Sequence, residues 1–413
     1  MKKLISALLI AAIVPTFIFA DNLDSLFENT EIMDNNSLFS DDSLFEGDNL
    51  FETEVVTSSS NINLVDDLLT SGVEISGSYS FKFKTGLKYD FDTQGEPSYF
   101  SSSNISTGIE LSARPTTDTR FYAEASLSFP FENTEDDVTT PTVNEEYNFF
   151  NIDELFYDFA IDDYYFRVGK QTLNMGVGYF YSPANFLNIS SISPLSPEDE
   201  QEGPLAIKIN KPLGSDNLYA YLTFPNTSDY DPTDVGVTLR MEKVIGDGEY
   251  SLSGFYTYDQ AQSPTKIALT ASTSIFTDVD IIAEVVESYD GSEFNFSGTA
   301  GIQVMKDIEG LTDTSVSFIA QYYYNQDGVT LIGPNSFDAT HQLGAVLSAS
   351  LPNDLRFSLS SINVLSESSG VLLGNLCYDM SDNLSIDLGA NYTYGASNTI
   401  QPYIGITLGQ GDF

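Results

Sequence analysis

Strict alternation of apolar and polar side chains is the feature that most constrains this chain. In the stretch VEISGSYSFKFKTGLKYDF, residues 73–91, every charged side chain lies at an even position and the large apolar side chains lie at odd positions. The same division recurs in residues 121–129 and 384–394. Successive side chains of a strand point to opposite faces, so this period of two predicts strands that lie between two different media.

The number and spacing of such stretches predict the fold class. They indicate an all-β chain with about 18 strands, about 16 being the alternative count. Short connections such as IDD and PND alternate with long ones such as residues 172–204. Short turns on one side and long loops on the other are typical of a transmembrane antiparallel up-and-down β-barrel. A soluble β-sandwich is the competing fold, but its strands run about five or six residues, whereas many here approach the roughly 9–11 that cross a bilayer.

The N-terminus differs from the rest of the chain. Residues 1–20 combine two lysines, an apolar run and small residues, which predicts a signal peptide cleaved after Ala20. Residues 21–72 carry thirteen acidic and no basic side chains, and Leu-Phe pairs recur along them. Two interpretations stay open for this segment: a disordered, self-repelling tail, or a display of short motifs to a periplasmic partner. The barrel is then expected to comprise residues 73–413.

Charge and residue counts exclude several classes of function. The formal net charge of −44 argues against nucleic acid as a partner, because phosphate binding needs basic patches. The one histidine, His341, shares its parity with Leu343 and is expected to face lipid, so no base is placed for catalysis and we expect no enzyme. We also expect no metal site and no cofactor, because His and Cys clusters are missing from the sequence. The single cysteine, Cys377, is expected to be a small apolar filler.

Two stretches resemble porin-like bacterial outer-membrane β-barrel proteins. The chain ends IQPYIGITLGQGDF, an alternating strand followed by Phe413, which looks like the signal that outer-membrane porins present to their insertion machinery. Residues 166–176, FRVGKQTLNMG, resemble the Arg-x-Gly-Arg/Lys-Gln…Trp-Gly segment of that family, with Met175 where an aromatic residue is usual. The resemblance implies a location in the outer membrane of a double-membrane bacterium and contact with its lipid, and it is compatible with a homo-oligomer.

The barrel interpretation makes a demand on the charged residues of the strands. A Lys or Arg facing lipid at mid-bilayer costs roughly 2–4 kcal/mol, so these side chains should share the polar, inner face. Opposite charges facing each other across a lumen would create a transverse field, whereas paired charges would simply solvate a wet interior; both hypotheses remain open. The pore-lining candidates given by strand parity are Lys82, Lys84, Lys88, Glu110, Arg120, Glu124, Glu154, Asp158, Arg167, Lys208, Arg240 and Arg356.

The connection from Thr172 to Pro204 is long for a loop in a compact domain, and its first part is unusually apolar. Its Gly-x-Gly lacks the Gly-Lys-Ser/Thr continuation of a phosphate loop. Long loops are usually functional, and glycines let the chain bend sharply, so we expect this one to fold inward and narrow a pore. The alternative is an apolar cap over the rim or against a neighbouring subunit. The constriction candidates are Met175, Gly176, Gly178, Tyr179, Phe180, Tyr181 and Phe186.

The function that these features favour is a porin-like channel for passive diffusion of ions or small hydrophilic solutes. About eighteen strands enclose more space than side chains alone can fill. The alternative is a surface-displayed adhesin or receptor, in which a barrel with a blocked lumen merely carries the outward loops. The sequence leaves the solute, the ion selectivity and the oligomeric state open.

Overall fold

One closed antiparallel sheet contains every strand of the described part of the chain. The computed structural model describes residues 72–92, 96–133, 150–189, 201–224, 234–258, 260, 263–308, 314–326, 340–381, 383–395 and 398–412. Within these residues, 18 strands pair each with the next in sequence, and β1 pairs with β18 to close the barrel. The prediction of an antiparallel up-and-down barrel is therefore confirmed, and the strand number is the expected 18 and not the alternative 16.

The strand boundaries agree with the alternating stretches to within a few residues in most cases. The second strand begins earlier than the predicted residues 103–113. Its first residues pair with the last residues of the first strand, Ser98 opposite Lys88. The strands are β1 Val73–Asp90, β2 Ser98–Thr116, β3 Thr119–Asn133, β4 Phe150–Ile161, β5 Tyr164–Lys170, β6 Leu205–Leu213, β7 Asp216–Phe224, β8 Gly236–Ile245, β9 Gly248–Tyr256, β10 Thr265–Phe276, β11 Val279–Tyr289, β12 Phe294–Asp307, β13 Ser315–Asn325, β14 Thr340–Leu351, β15 Leu355–Val364, β16 Ser369–Ser381, β17 Leu384–Tyr394 and β18 Thr399–Asp412.

The two faces of the barrel wall differ in chemistry. Large apolar side chains are exposed on the outer face, for example Leu239 at 61% and Ile267 at 58%. The inner face buries polar side chains, among them Thr238, Gln321 and Gln342. A water-soluble fold normally places these two classes the other way round, because each square ångström of apolar surface left in water costs about 25 cal/mol. This wall is therefore suited to an apolar medium outside and a polar one inside.

Several sequence-based expectations concern residues outside the ranges that the structure describes. The predicted signal peptide, the acidic stretch as far as Ser71 and the terminal Phe413 all lie outside the described residues. Along the described strands and turns, no helix has the length and apolar character needed to cross a membrane.

Candidate functional site

The chain between β5 and β6 enters the barrel and packs along its inner face. We call residues 171–189 the inner segment. Both of its ends pack on β6 and β7, its middle reaches β13 to β15, and Ala184 on the returning chain contacts β10 and β11. The buried residues that make these contacts are Leu173, Met175 and Leu187 on Ala206, Tyr219 and Tyr221; Phe180 and Tyr181 on Ile319, Tyr323, Val346 and Ile362; and Ala184 on Ala268 and Val286.

A buried carboxylate on β11 binds the middle of the inner segment. Oε1 of Glu284 accepts hydrogen bonds from the backbone N–H of Val177 at 2.5 Å and of Gly178 at 2.7 Å. The same oxygen accepts one from the hydroxyl of Ser182 at 2.8 Å, and Oε2 accepts one from the backbone N–H of Ala184 at 2.9 Å. Both oxygens of this carboxylate are therefore occupied by the segment.

A buried amide on β13 binds the next part of the segment. Oε1 of Gln321 accepts hydrogen bonds from three consecutive backbone N–H groups, of Tyr179 at 3.1 Å, Phe180 at 2.8 Å and Tyr181 at 3.3 Å. Its Nε2 donates to the carbonyl of Tyr181 at 2.5 Å and to the hydroxyl of Thr299 at 2.7 Å. The amide thus satisfies three N–H donors and one carbonyl acceptor of residues 179–181, which do not pair with a strand.

The Gly-x-Gly of the segment is explained by close approach. A Cβ atom added at Gly176 would lie 2.7 Å from Oε1 of Glu284 and 1.7 Å from the hydroxyl oxygen of Ser182. One added at Gly178 would lie 2.0 Å from the carbonyl oxygen of Tyr181. Only glycine leaves room for these contacts, so the motif serves packing within the barrel and not phosphate binding.

Further polar contacts fix the first part of the inner segment. The guanidinium of Arg240, which also pairs with Glu242 at 2.8 Å, donates to the carbonyl of Met175. At the root, Nε2 of Gln171 donates to the carbonyl of Ala206 at 3.1 Å. Near the same root, Lys170 pairs with Glu202 at 2.9 Å. The segment is thus held at its root, at Met175 and at its middle.

The surface that the segment leaves uncovered carries no charge. Between Thr172 and Ile189 the sequence has no Asp, Glu, Lys or Arg. Asn174 is exposed, while Tyr179 and Phe186 are half-buried. Charge selection inside the barrel therefore does not come from residues 172–189.

The twelve pore-lining candidates all lie on the inner face, because directly paired residues of neighbouring strands share a face. One series of direct pairs runs from Arg120 to Asp158, then to Arg167, and then to Lys208, whose ammonium lies 5.4 Å from the ring centre of Tyr219. Parity along each strand, or a direct cross-strand pair, places the others on the same face: Lys82, Lys84, Lys88, Glu110, Glu124, Glu154, Arg240 and Arg356. Whether they line a conducting pore stays a prediction.

Three of these carboxylates form a row. Glu110 on β2 pairs directly with Glu124 on β3, which pairs directly with Glu154 on β4. Tyr122 donates to Glu124 at 2.9 Å, and the backbone N–H of Thr172 donates to Glu154 at 2.7 Å. None of the ion pairs found between described residues involves this row.

The acidic and basic candidates do not form two rows that face each other across the lumen, as a simple transverse field would require. Ten of the twelve candidates belong to β1–β6, so the acidic row and all the basic candidates except Arg240 and Arg356 occupy neighbouring strands of one sector. Arg167 and Asp158 form a two-point contact, at 2.8 and 3.2 Å, and Arg167 also lies 3.9 Å from the ring centre of Phe156. Part of the basic charge is therefore balanced locally.

Cys377 and His341 lie on opposite faces of the barrel wall. Cys377 is not an apolar filler: it lies on the inner face, and Arg356 donates to its sulfur at 3.2 Å and to Asp379 at 2.8 Å. The apolar neighbours of Cys377 on β16 gave no sign of this polar contact, because the sequence does not show which residue of the neighbouring strand lies opposite. His341 lies on the outer face, where the hydroxyl of Tyr322 contacts its Nδ1 at 2.6 Å.

Sequence reasoning did not assign the contacts that hold the inner segment, although parity along β11 places Glu284 on the inner face. Gln321 was not a candidate, and Arg240 was one only as a lining residue. The signal that could have found Gln321 is an uncharged amide at an inner-face position between the apolar side chains of Ile319 and Tyr323.

Similarity to known proteins is confined to the shape of the barrel. No protein-family model matches the chain, and no curated protein is similar to it in sequence. The crystal structure of Acinetobacter baumannii OccAB4 matches with 9% identity over 82% of this chain and 98% of that one, at a TM-score of 0.49. A BenF-like porin from Pseudomonas fluorescens Pf-5 gives 9% identity over 81% and 97%, with a TM-score of 0.49. Salmonella typhi OmpF in complex with daunomycin gives 11% identity over 83% and 99%, with a TM-score of 0.45. At these identities and TM-scores, neither a family nor a function is established by the likeness.

Proposed function

We propose that the chain is a porin-like channel in the outer membrane of a double-membrane bacterium, and not an enzyme. The observation that carries this proposal is the closed wall of 18 strands with apolar side chains outside and polar side chains inside. Such a wall leaves no backbone edge unpaired in lipid, and a barrel of this strand number encloses more space than its own side chains fill. The predicted signal peptide supports export to that membrane.

The solutes of this channel are ions or small hydrophilic molecules that diffuse passively. The inner face is rich in hydroxyl and amide side chains, together with the charged residues of β1–β6. The packing clusters and hydrogen bonds of the inner segment, as far as the chain is described, involve β4–β15. A passage beside the segment is therefore bounded by β16–β18 and β1–β3, whose inner faces offer water partners for hydrogen bonds.

The inner segment acts as the constriction of this channel. It adds buried apolar side chains to one side of the lumen, and its free surface includes Tyr179 and Phe186. Because it occupies the inner face from β6 to β15, it removes cross-section that an empty barrel would leave to water. The candidates Met175, Gly176, Gly178, Phe180 and Tyr181 shape it from the buried side.

Partners follow from the same proposal. Lipid contacts the outer apolar face, and the insertion machinery recognises β18, the last strand, together with Phe413. The acidic residues 21–72 bind a periplasmic partner through their Leu-Phe pairs, and copies of the chain associate through the outer face. Pull-down with a peptide of residues 21–72, and cross-linking in detergent, test these two associations separately.

Conductance of the purified, refolded protein in a planar bilayer tests the channel. We expect stepwise ion currents from the full chain. A folded barrel that inserts without any current would contradict the proposal and favour a display barrel with a blocked lumen.

Replacement of Met175 through Ile189 by a short Gly-Ser link tests the constriction. We expect a folded barrel with raised single-channel conductance, because the segment no longer fills the inner face. The matched control replaces the exposed turn Gly291–Glu293 by the same link and should leave conductance unchanged. An unchanged conductance in the first variant would refute the constriction while leaving the channel intact.

A further inference from the structure

We infer that Glu284 and Gln321 are positioning residues that hold the inner segment in its narrowing position, so that loss of either acceptor releases the segment and widens the passage. This inference rests on the proposed channel function and assigns a role to two residues of the wall. They lie on β11 and β13, on either side of β12.

The two side chains together satisfy most backbone donors of the middle of the segment. Glu284 accepts from the N–H groups of Val177, Gly178 and Ala184, and Gln321 accepts from those of three residues between them. Pro183 has no N–H group to satisfy. This stretch is neither helix nor strand, so its donors depend on side chains of the wall. Without those acceptors, the backbone N–H groups of this stretch would lose their hydrogen-bond partners inside the barrel.

The carboxylate of Glu284 depends on the segment in return. Its side chain is 1% exposed, and no ion pair within the described chain includes it. A buried carboxylate is tolerated only when hydrogen-bond donors surround it. Four donors of one short stretch, three backbone N–H groups and the hydroxyl of Ser182, provide that environment. The contact is therefore mutual, and one position on β11 sets where the segment lies.

Apolar packing and hydrogen bonds both contribute to this position. The rings of Phe180 and Tyr181 bury surface, and the hydrophobic effect that favours this burial is non-directional. Hydrogen bonds to fixed acceptors are directional, and here they specify which residue of the segment lies at which strand. The glycines at 176 and 178 agree with this, since a Cβ at either would collide with atoms that belong to these contacts.

The test compares graded variants of Glu284 in a background in which Cys377 is replaced by serine. Glu284→Ala removes both acceptor oxygens, and we expect single-channel conductance to rise on the order of twofold, because the segment lies along about half of the wall. Glu284→Gln keeps one acceptor oxygen for Val177 and Gly178, so it should restore most of the narrow conductance. Gln321→Ala should raise conductance in the same direction.

The second readout follows the segment itself. An Ala184→Cys reporter in the same background, at a segment position that is 1% exposed, should react slowly with a water-soluble thiol reagent, and faster once Glu284→Ala is added. The matched control is Glu287→Ala, which removes an exposed carboxylate from the outer face of the same strand as Glu284. It should leave both conductance and labelling unchanged.

The outcomes separate this inference from the proposed function. A full chain without current refutes the channel. Unchanged conductance and labelling in conducting Glu284→Ala and Gln321→Ala variants refute the positioning role while the channel stands, and an equal rise in Glu287→Ala refutes it too, since any change on β11 would then suffice. Should Glu284→Ala fail to form a heat-stable barrel, Gln321→Ala decides: it must speed labelling, while Glu284→Gln stays close to the parent, for the inference to hold.

Discussion

The ring of Phe180 lies directly against the backbone of Gly344 on β14: a Cβ atom added at Gly344 would be 2.7 Å from Cγ of that ring. Phe180 itself is 1% exposed and belongs to the cluster at β13–β15. The absence of a side chain at one position of the wall therefore creates the space that an aromatic side chain of the inner segment fills.

Replacement Gly344→Ala should displace Phe180. Overpacking of a filled site costs about 1–3 kcal/mol, and we expect a lower free energy of unfolding in denaturant together with raised conductance. Gly254→Ala on β9 is the control, because an added Cβ there meets nothing within 4 Å. Equal stability of the two variants would show that the ring has room to move.

Replacement Gly178→Ala should have a stronger effect on conductance than on the barrel. The new Cβ would lie 2.0 Å from the carbonyl oxygen of Tyr181 and 2.7 Å from Nε2 of Gln321, so the local chain must move away. We expect higher single-channel conductance with a normally folded wall. Gly374→Ala, whose nearest atom is 3.9 Å away, should behave like the parent protein.

The hydroxyl of Tyr181 is buried and has no hydrogen-bond partner among the described atoms, although its ring stacks on Tyr323 with centres 5.1 Å apart. Tyr181→Phe removes an unsatisfied polar group, so the free energy of unfolding should stay within about 0.5 kcal/mol or rise. Tyr181→Ala removes the ring and should cost about 3–5 kcal/mol. A large loss in the Phe variant would reveal a partner for the hydroxyl.

The row Glu110, Glu124 and Glu154 should favour cations. Exchanging all three for glutamine is expected to shift the reversal potential in a KCl gradient toward anions. The shift should be clear at low salt and weak near 1 M, because the Debye length falls from about 10 Å at 0.1 M to about 3 Å. Glu287→Gln, an exposed position on the outer face of β11, serves as control. Identical potentials for the triple variant and its parent would place selectivity elsewhere.

The barrel was readable from the sequence because its signal is local. Alternation within a strand shows both that a strand exists and which face each side chain takes, and this needs no knowledge of its neighbours. That is why the parity of Glu110, Arg120 and Lys208 agrees with their inner-face positions. The early start of β2 at Ser98 was not readable, because it depends on pairing with the outer end of β1.

The inner segment shows where local information ends. Its apolar composition in a connection without alternation already indicated that Met175 and Phe180 must be buried somewhere. Which wall positions receive them was decided only by closure of the barrel, which brings Val177 to Glu284 across 107 residues and Phe180 to Gln321 across 141. A sequence alone determines which side chains face inward, but the contacts between them depend on strand order, register and the path of the segment, and these are properties of the closed sheet as a whole.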